Sequence, residues 1–311
     1  MVRLNLKNRA GCRRLLTSLL IPLLLVCGCS SEPALDLTAL DNAARAGDAK
    51  AVSQLVSLLG RTDNGLNDKV YPLVTQLGKA AIPALIDQAD SDDRVLREYV
   101  IASLGTLQAK EAVPVIVKSL RDKSFSRRYI AAWALGQISD VSSIPELLQA
   151  LDDDDSGVRR YATRSLIRFN TRAVAPLLGY LPQAPPRGQA GAIRALGDIG
   201  DPRALELLLK AVDGPNRGEV FMALGKLKDP RAENALIRGL RDADWRNRMN
   251  AAMALGPLGG PAAAAALRPV LEDPVMVVRE WAARSLEMVS GEHVRYRDAK
   301  GKLVMPYKIY H

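Results

Sequence analysis

A three-residue phrase, Ala/Ser-Leu-Gly, recurs about every thirty residues of this 311-residue chain and constrains its fold more than any other feature. Copies and near-copies are Gln76-Leu77-Gly78, Ser103-Leu104-Gly105, Ala134-Leu135-Gly136, Ser165-Leu166-Ile167, Ala195-Leu196-Gly197, Ala223-Leu224-Gly225, Ala254-Leu255-Gly256 and Ser285-Leu286-Glu287. Their third residues lie 27, 31, 31, 30, 28, 31 and 31 apart. A period of this length signals a solenoid, in which each unit buries its apolar face only against its neighbours. The chain therefore reads as all-α, an α-solenoid of about eight helix pairs. Such folds are surfaces for recognition more often than clefts for chemistry.

The N-terminal stretch carries Arg3, Lys7, Arg9, Arg13 and Arg14, followed by an apolar run from Leu15 to Val26. Twelve residues rise only ~18 Å as a helix, short of the ~30 Å hydrocarbon core of a bilayer. The pattern is that of a secretory signal. It ends in Val26-Cys27-Gly28-Cys29-Ser30-Ser31, which resembles the lipobox of bacterial lipoproteins. The resemblance implies a signal peptide over 1–28, lipidation at Cys29, a lipidated tether over 29–36 and a place in the cell envelope. Ser30 lacks the Asp that retains such lipoproteins at the inner membrane, which implies the periplasmic face of the outer membrane in a Gram-negative source. The three cysteines are Cys12, Cys27 and Cys29, so after cleavage no thiol is left for a disulfide or a metal. Cleavage also removes five positive charges, bringing the formal net charge from +9 to about +4. That balance gives no case for nucleic acid.

Residues 37–65 read as an N-terminal helical cap broken at Gly47-Asp48, and residues 66–291 as the repeat solenoid. Each unit reads as two antiparallel helices, with Asp-Pro junctions at Asp201-Pro202 and Asp229-Pro230 suited to cap and start a helix. A Leu-x-Asp turn joins the two helices at Asp122, Asp153, Asp242 and Asp273. Eight residues before the glycine position stand Arg97, Arg128, Arg159, Gln189, Arg217, Arg248 and Arg279. This resembles HEAT repeats, in particular the phycobilisome-lyase type, whose pattern is D-x-x-x-V-R-x-x-A-A-x-A-L-G; Asp154 through Val158-Arg159 follows it closely. At 100° per residue the Arg column falls on the apolar stripe of the second helix. Buried charges are paired, so Arg97, Arg128, Arg159, Arg217, Arg248 and Arg279 are read as structural. Their expected partners are turn aspartates or carbonyls, as in the family's Asp/Arg pairs.

Positions seven, six and three residues before the glycine point away from that stripe. They place Tyr99, Tyr129, Trp133, Arg160, Tyr161, Arg164, Arg194, Trp281 and Arg284 in one row, together with Met222, Met249 and Met253. In HEAT-type solenoids the second helices line the concave wall, so the resemblance makes this row a groove. Trp, Tyr and Arg lead among interface hot spots. The competing reading packs Trp133, Trp281 and the methionines between adjacent second helices. Residues 292–311 leave the helical pattern as a C-terminal tail and suggest a short hairpin capping the last repeat.

Chemistry is sparse. His293 and His311 both lie in the tail, without the His-Glu pairs by which HEAT-type deoxyhypusine hydroxylases hold iron. The acidic run Asp152 to Asp155 is a repeat turn without an ordered cation-loop pattern. The expectation is a non-enzymatic lipoprotein that holds a protein or extended peptide in its groove. It is tethered to the membrane through its lipid, with no metal, cofactor, nucleic acid or evident small-molecule substrate. The alternatives are a lyase-like or pigment- or metal-handling accessory, and an envelope protein binding a polyanionic cell-wall glycan.

Overall fold

Helix pairs stacked along one direction account for almost the whole of the structure, a computed structural model that describes residues 35–306. The leader, Cys29 and the tail residues 307–311 lie outside the described residues. In chain order the helices are α1 (Leu37–Arg45), α2 (Ala49–Ser57), α3 (Leu66–Gln76), α4 (Ile82–Gln88), α5 (Arg94–Thr106) and α6 (Val113–Arg121). They continue with α7 (Arg128–Ile138), α8 (Ile144–Ala150), α9 (Ser156–Phe169), α10 (Thr171–Tyr180), α11 (Pro186–Ile199) and α12 (Leu205–Lys210). The last are α13 (Arg217–Leu227), α14 (Glu233–Gly239), α15 (Trp245–Leu258), α16 (Pro261–Leu267) and α17 (Met276–Ser290). From α4 onward the even helices are the first of each pair and the odd helices the second. Consecutive odd helices pack side by side from α5 to α17. Helix α2 packs against α3 and α4 as well as α1, so the stack begins within the segment read as a cap.

Local chemistry sets the breaks. Asp93, Asp155 and Asp244 sit in extended backbone, and their carboxylates accept from amides in the first turns of α5, α9 and α15. Asp140, Asp201 and Asp229 cap the short 3-10 turns that lead into α8, α12 and α14. Each supplies an acceptor to amides that the helix itself leaves unpaired.

The recurring phrase has a three-part physical meaning. Its leucines, Leu104, Leu135, Leu166, Leu196, Leu224, Leu255 and Leu286, are wholly buried, and each contributes roughly 1.5–3 kcal/mol of burial. Its glycines receive the Ala or Ser of the next copy. A Cβ at Gly105 would lie 2.8 Å from the Ala134 Cα, and one at Gly197 or Gly225 2.7 Å from the Cα of Ala223 or Ala254. Gly136 and Gly256 meet Ser165 and Ser285 in the same way, and the Ser165 hydroxyl donates across the contact to the Ala132 carbonyl at 2.8 Å. Second helices thus approach backbone to backbone. The final copy ends in Glu287, where no further unit follows.

A ladder of charge pairs ties neighbouring units together. Arg97, Arg128, Arg217 and Arg248 each bind the carboxylate 25 residues on, namely Asp122, Asp153, Asp242 and Asp273. Asp122 is held down at about 2 by hydrogen bonds from Ser124 and Arg97. For Asp153, burial works upward, but hydrogen bonds from Arg128 and the Asp155 amide outweigh it and bring the carboxyl to about 2.

The end of the stack is closed by a two-stranded hairpin, β1 (Tyr296–Arg297) paired antiparallel with β2 (Leu303–Val304). Val294 and Tyr296 are buried there. Arg279, which has no following turn to pair with, donates to the carbonyls of Arg297 at 2.7 Å and Asp298 at 3.3 Å.

Candidate functional site

The row selected from the sequence runs along the contacts between consecutive second helices. Its side chains fall into three groups. Tyr99 on α5 is half-buried and packs edge-on against Tyr71, with ring centroids 6.1 Å apart. Trp281 and Arg284 lie at the far end on α17, where the guanidinium sits 4.8 Å from the indole and also binds Glu280 at 2.6 Å. Arg284 is only 16% exposed, so this pair is largely packed away.

The central group is the one that forms a continuous patch. Tyr129 on α7 and Tyr161 on α9 stack with centroids 5.3 Å apart and planes inclined by 26°. The guanidinium carbons of Arg160 and Arg164 lie 5.3 and 5.5 Å from the Tyr161 ring. Both arginines are exposed, and neither meets a carboxylate among the described residues. Trp133, four residues along α7 from Tyr129, leans over the Gly105 surface of α5, where an added Cβ would meet its ring at 3.0 Å. Next along, Arg194 on α11 is exposed and binds Glu219 of α13 through both Nε and Nη2. Met222, Met249 and Met253 are half-buried, and Met249 packs against the core. The patch therefore spans α7, α9 and α11, with a stacked aromatic pair at its centre and cations around it. It can offer flat apolar faces and unsatisfied guanidinium donors to one ligand.

Two features escaped the sequence reading. Arg187, at the start of α11, lines a cavity beside Arg160 and Arg194 and pairs with Asp154 at 3.0 Å. This cavity, of about 600 Å³, opens between α9 and α11, lined by Arg159, Arg160, Arg187 and Arg194 together with Thr163 and Asn216. The signal was present in the fourth phrase, where Ile167 replaces the glycine, and in the turn at 184, where Ala replaces Asp. The acidic run beside the cavity is consumed locally: Asp153 binds Arg128, Asp155 caps α9, and Asp154 meets Arg187. Among the described residues no group of His, Cys, Asp and Glu is placed to hold a metal ion, and no helix is long and apolar enough to cross a membrane.

The HEAT-repeat family matches residues 82–167, 144–220 and 213–287. A curated relative, bilin biosynthesis protein RpcF of Synechococcus sp. (strain WH8020), is 27% identical over 110 residues, which are 35% of this chain and 47% of that protein. The chain thus matches about half the length of that relative. Among solved structures, the complex of CpcE and CpcF of phycocyanin lyase from Nostoc sp. PCC7120 is 25% identical, over 66% of this chain and 86% of that one. Its TM-score of 0.37 is too low to bear on function. Kap121p superposes better, with a TM-score of 0.57 at 15% identity over 82% of this chain and 34% of that one, and shows the fold alone. The expectation of a non-enzyme is corrected by the first of these: the relative is a bilin biosynthesis protein, so the sparse histidines and cysteines do not place the chain among pure scaffolds. The HEAT resemblance drawn from the phrase and the Arg column is met over residues 82 to 287, and the chain belongs to the HEAT-repeat family.

Proposed function

We propose that this chain is a lyase-like accessory protein. It holds a protein partner against its second-helix face and takes a flat, carboxylate-bearing ligand of the bilin class on the Tyr129–Tyr161 patch. The observation that carries this reading is the stacked tyrosine pair flanked by two exposed arginines without carboxylate partners. A conjugated ring system gains from the aromatic face, and its acidic side chains gain from the guanidinium groups. The relative's role in bilin biosynthesis supports the ligand class and replaces the expectation of no small-molecule substrate. The described residues contain no cysteine and one histidine, the exposed His293, so in this reading the partner supplies the nucleophile. The chain's own part is to bind, flatten and present the ligand.

Titration with a linear tetrapyrrole, followed by visible absorbance, tests the ligand. Saturable binding is expected for wild type, with about tenfold or greater weakening in Tyr161→Ala/Arg164→Ala, since each lost anchor is worth about 1–2 kcal/mol. Equal affinity of the two proteins would remove the patch from the proposal. The membrane tether is a separate element, resting on the lipobox resemblance at Cys29. Metabolic labelling with an alkyne fatty acid should mark wild type and leave Cys29→Ser unmarked; labelling of both would end the lipoprotein reading.

A further inference from the structure

We infer that the cavity between α9 and α11 is a carboxylate-binding site, in which an acidic side chain of a protein partner completes the interrupted Arg–Asp ladder. This inference needs a protein partner but does not rest on the bilin ligand.

Comparison of two units within the chain carries the argument. Arg248 uses Nη1 to bind the carbonyls of Asp242 and Ala243, and turns Nε and Nη2 onto the carboxylate of Asp273 at 2.7 and 3.0 Å. Arg159 makes the first half of this arrangement, with Nη1 donating to the carbonyls of Asp153 at 2.6 Å and Asp154 at 2.9 Å. The second half is missing. The residue 25 positions on is Ala184, and Nε and Nη2 of Arg159 have no partner among the described residues. Arg279 faces the same lack, and there hairpin carbonyls fill it. In the next unit both members are changed together, with Gln189 and Gly214 at the corresponding positions. Among the described arginines of this column, Arg159 is the one whose Nε and Nη2 are left without a partner.

Arg159 lines the 600 Å³ cavity, and the other charges there reinforce the preference. Arg160 has no carboxylate partner among the described residues, while Arg187 and Arg194 are each shared with one exposed or half-exposed carboxylate, Asp154 and Glu219. The cavity thus carries excess positive charge against low-dielectric walls, where a bidentate guanidinium–carboxylate contact is strongest. The backbone is already set for an acidic residue. Ala184 lies at φ −72°, ψ 144°, close to the φ −55°, ψ 139° of Asp273.

Calorimetric titration of the full chain with an acetylated tetra-aspartate peptide at low salt tests the site, with tetra-asparagine as the neutral control. Wild type is expected to bind tetra-aspartate alone. Arg159→Gln should weaken it by about tenfold or more, as loss of one partner of a charge-assisted contact does. Ala184→Asp should abolish it by supplying the carboxylate internally, and should raise the melting temperature, which shows that the variant folds. Arg203→Gln, on an exposed arginine of another unit, should leave affinity unchanged. Binding that survives both Arg159→Gln and Ala184→Asp, or no binding by wild type, would overturn the inference. Inorganic phosphate binding as tightly as the peptide would reduce the site to a general anion patch and overturn the assignment to an acidic side chain. A tetrapyrrole displaced by tetra-aspartate would place the ligand's carboxylate here instead, against the assignment to a partner protein.

Discussion

Substitution of Asp153 by Asn removes one charge from the ladder while keeping shape, and its cost follows from the geometry. The Asp153 side chain is 12% exposed and that of Arg128 8% exposed, with contacts of 2.5 and 2.8 Å between them. Leaving one member of such a pair buried and unpaired costs about 3–5 kcal/mol. Lys123 and the Asp155 amide also lean on this carboxylate. The pKa gives an independent figure. A carboxyl at about 2 in the fold, against 3.8 in the free side chain, corresponds to about 2 kcal/mol of stabilisation. Because the folded value is the lower one, this stability is complete above the unfolded value and is lost as pH falls through 4 toward 2. A loss of about 3 kcal/mol is therefore expected for Asp153→Asn at neutral pH. The variant should also show a shallower decline on acidification than wild type. Urea unfolding at several pH values measures both, and amide exchange in α7 and α9 locates the weakened joint, since repeat stacks open locally. Asp154→Asn, at a side chain 86% exposed, should change stability by less than about 0.5 kcal/mol. Arg128→Met in the Asp153→Asn background should recover part of the loss. An Asp153→Asn protein as stable as wild type, with unchanged acid sensitivity, would refute the argument that these pairs hold the units in register.

Three further outcomes are expected. Gly225→Val, whose side chain would press against the Ala254 backbone, should cost at least about 2 kcal/mol in urea unfolding, whereas Glu287→Gln, which keeps an acceptor for the Val294 amide at the copy with no following unit, should be nearly neutral. Arg279→Ala should leave the helices intact but speed amide exchange at Asp298 and Gly301, because two of the contacts anchoring the hairpin are gone. Wild-type stability as a whole should fall steeply between about pH 5 and pH 2, since Asp122, Asp201, Asp242 and Asp273 are also held below their ordinary values.

The helix pairs were legible because the phrase encodes a contact. A glycine that must admit the next unit's Ala or Ser cannot drift, and a leucine at the centre of every joint repeats with the joint. The interruption at the fourth unit was harder to read. Arg159 matches its column and falls on the same helical face as Arg128, so the sequence placed it with the structural arginines. Its difference lies 25 residues away, in an alanine between two turns, and only the fold shows that no other residue pairs with its Nε and Nη2. Arg187 escaped for a related reason. It belongs to the first turn of α11, just after Pro185-Pro186 and outside the aligned positions. The aromatic row was legible as residue types but not as a grouping, since Trp281 and Arg284 are packed at one end while Tyr129 and Tyr161 stack across two units.

The central claim is that recognition takes place on the second-helix face across α7, α9 and α11. A photo-crosslinking side chain in place of Arg164 on α9, compared with one in place of the exposed Gln149 on the first helix α8, tests it most directly in intact cells. The account expects a discrete protein adduct from position 164, lost when tetrapyrrole or partner is removed, and none from position 149. Adducts from position 149 with none from position 164 would put the partner on the outer helices and contradict the account.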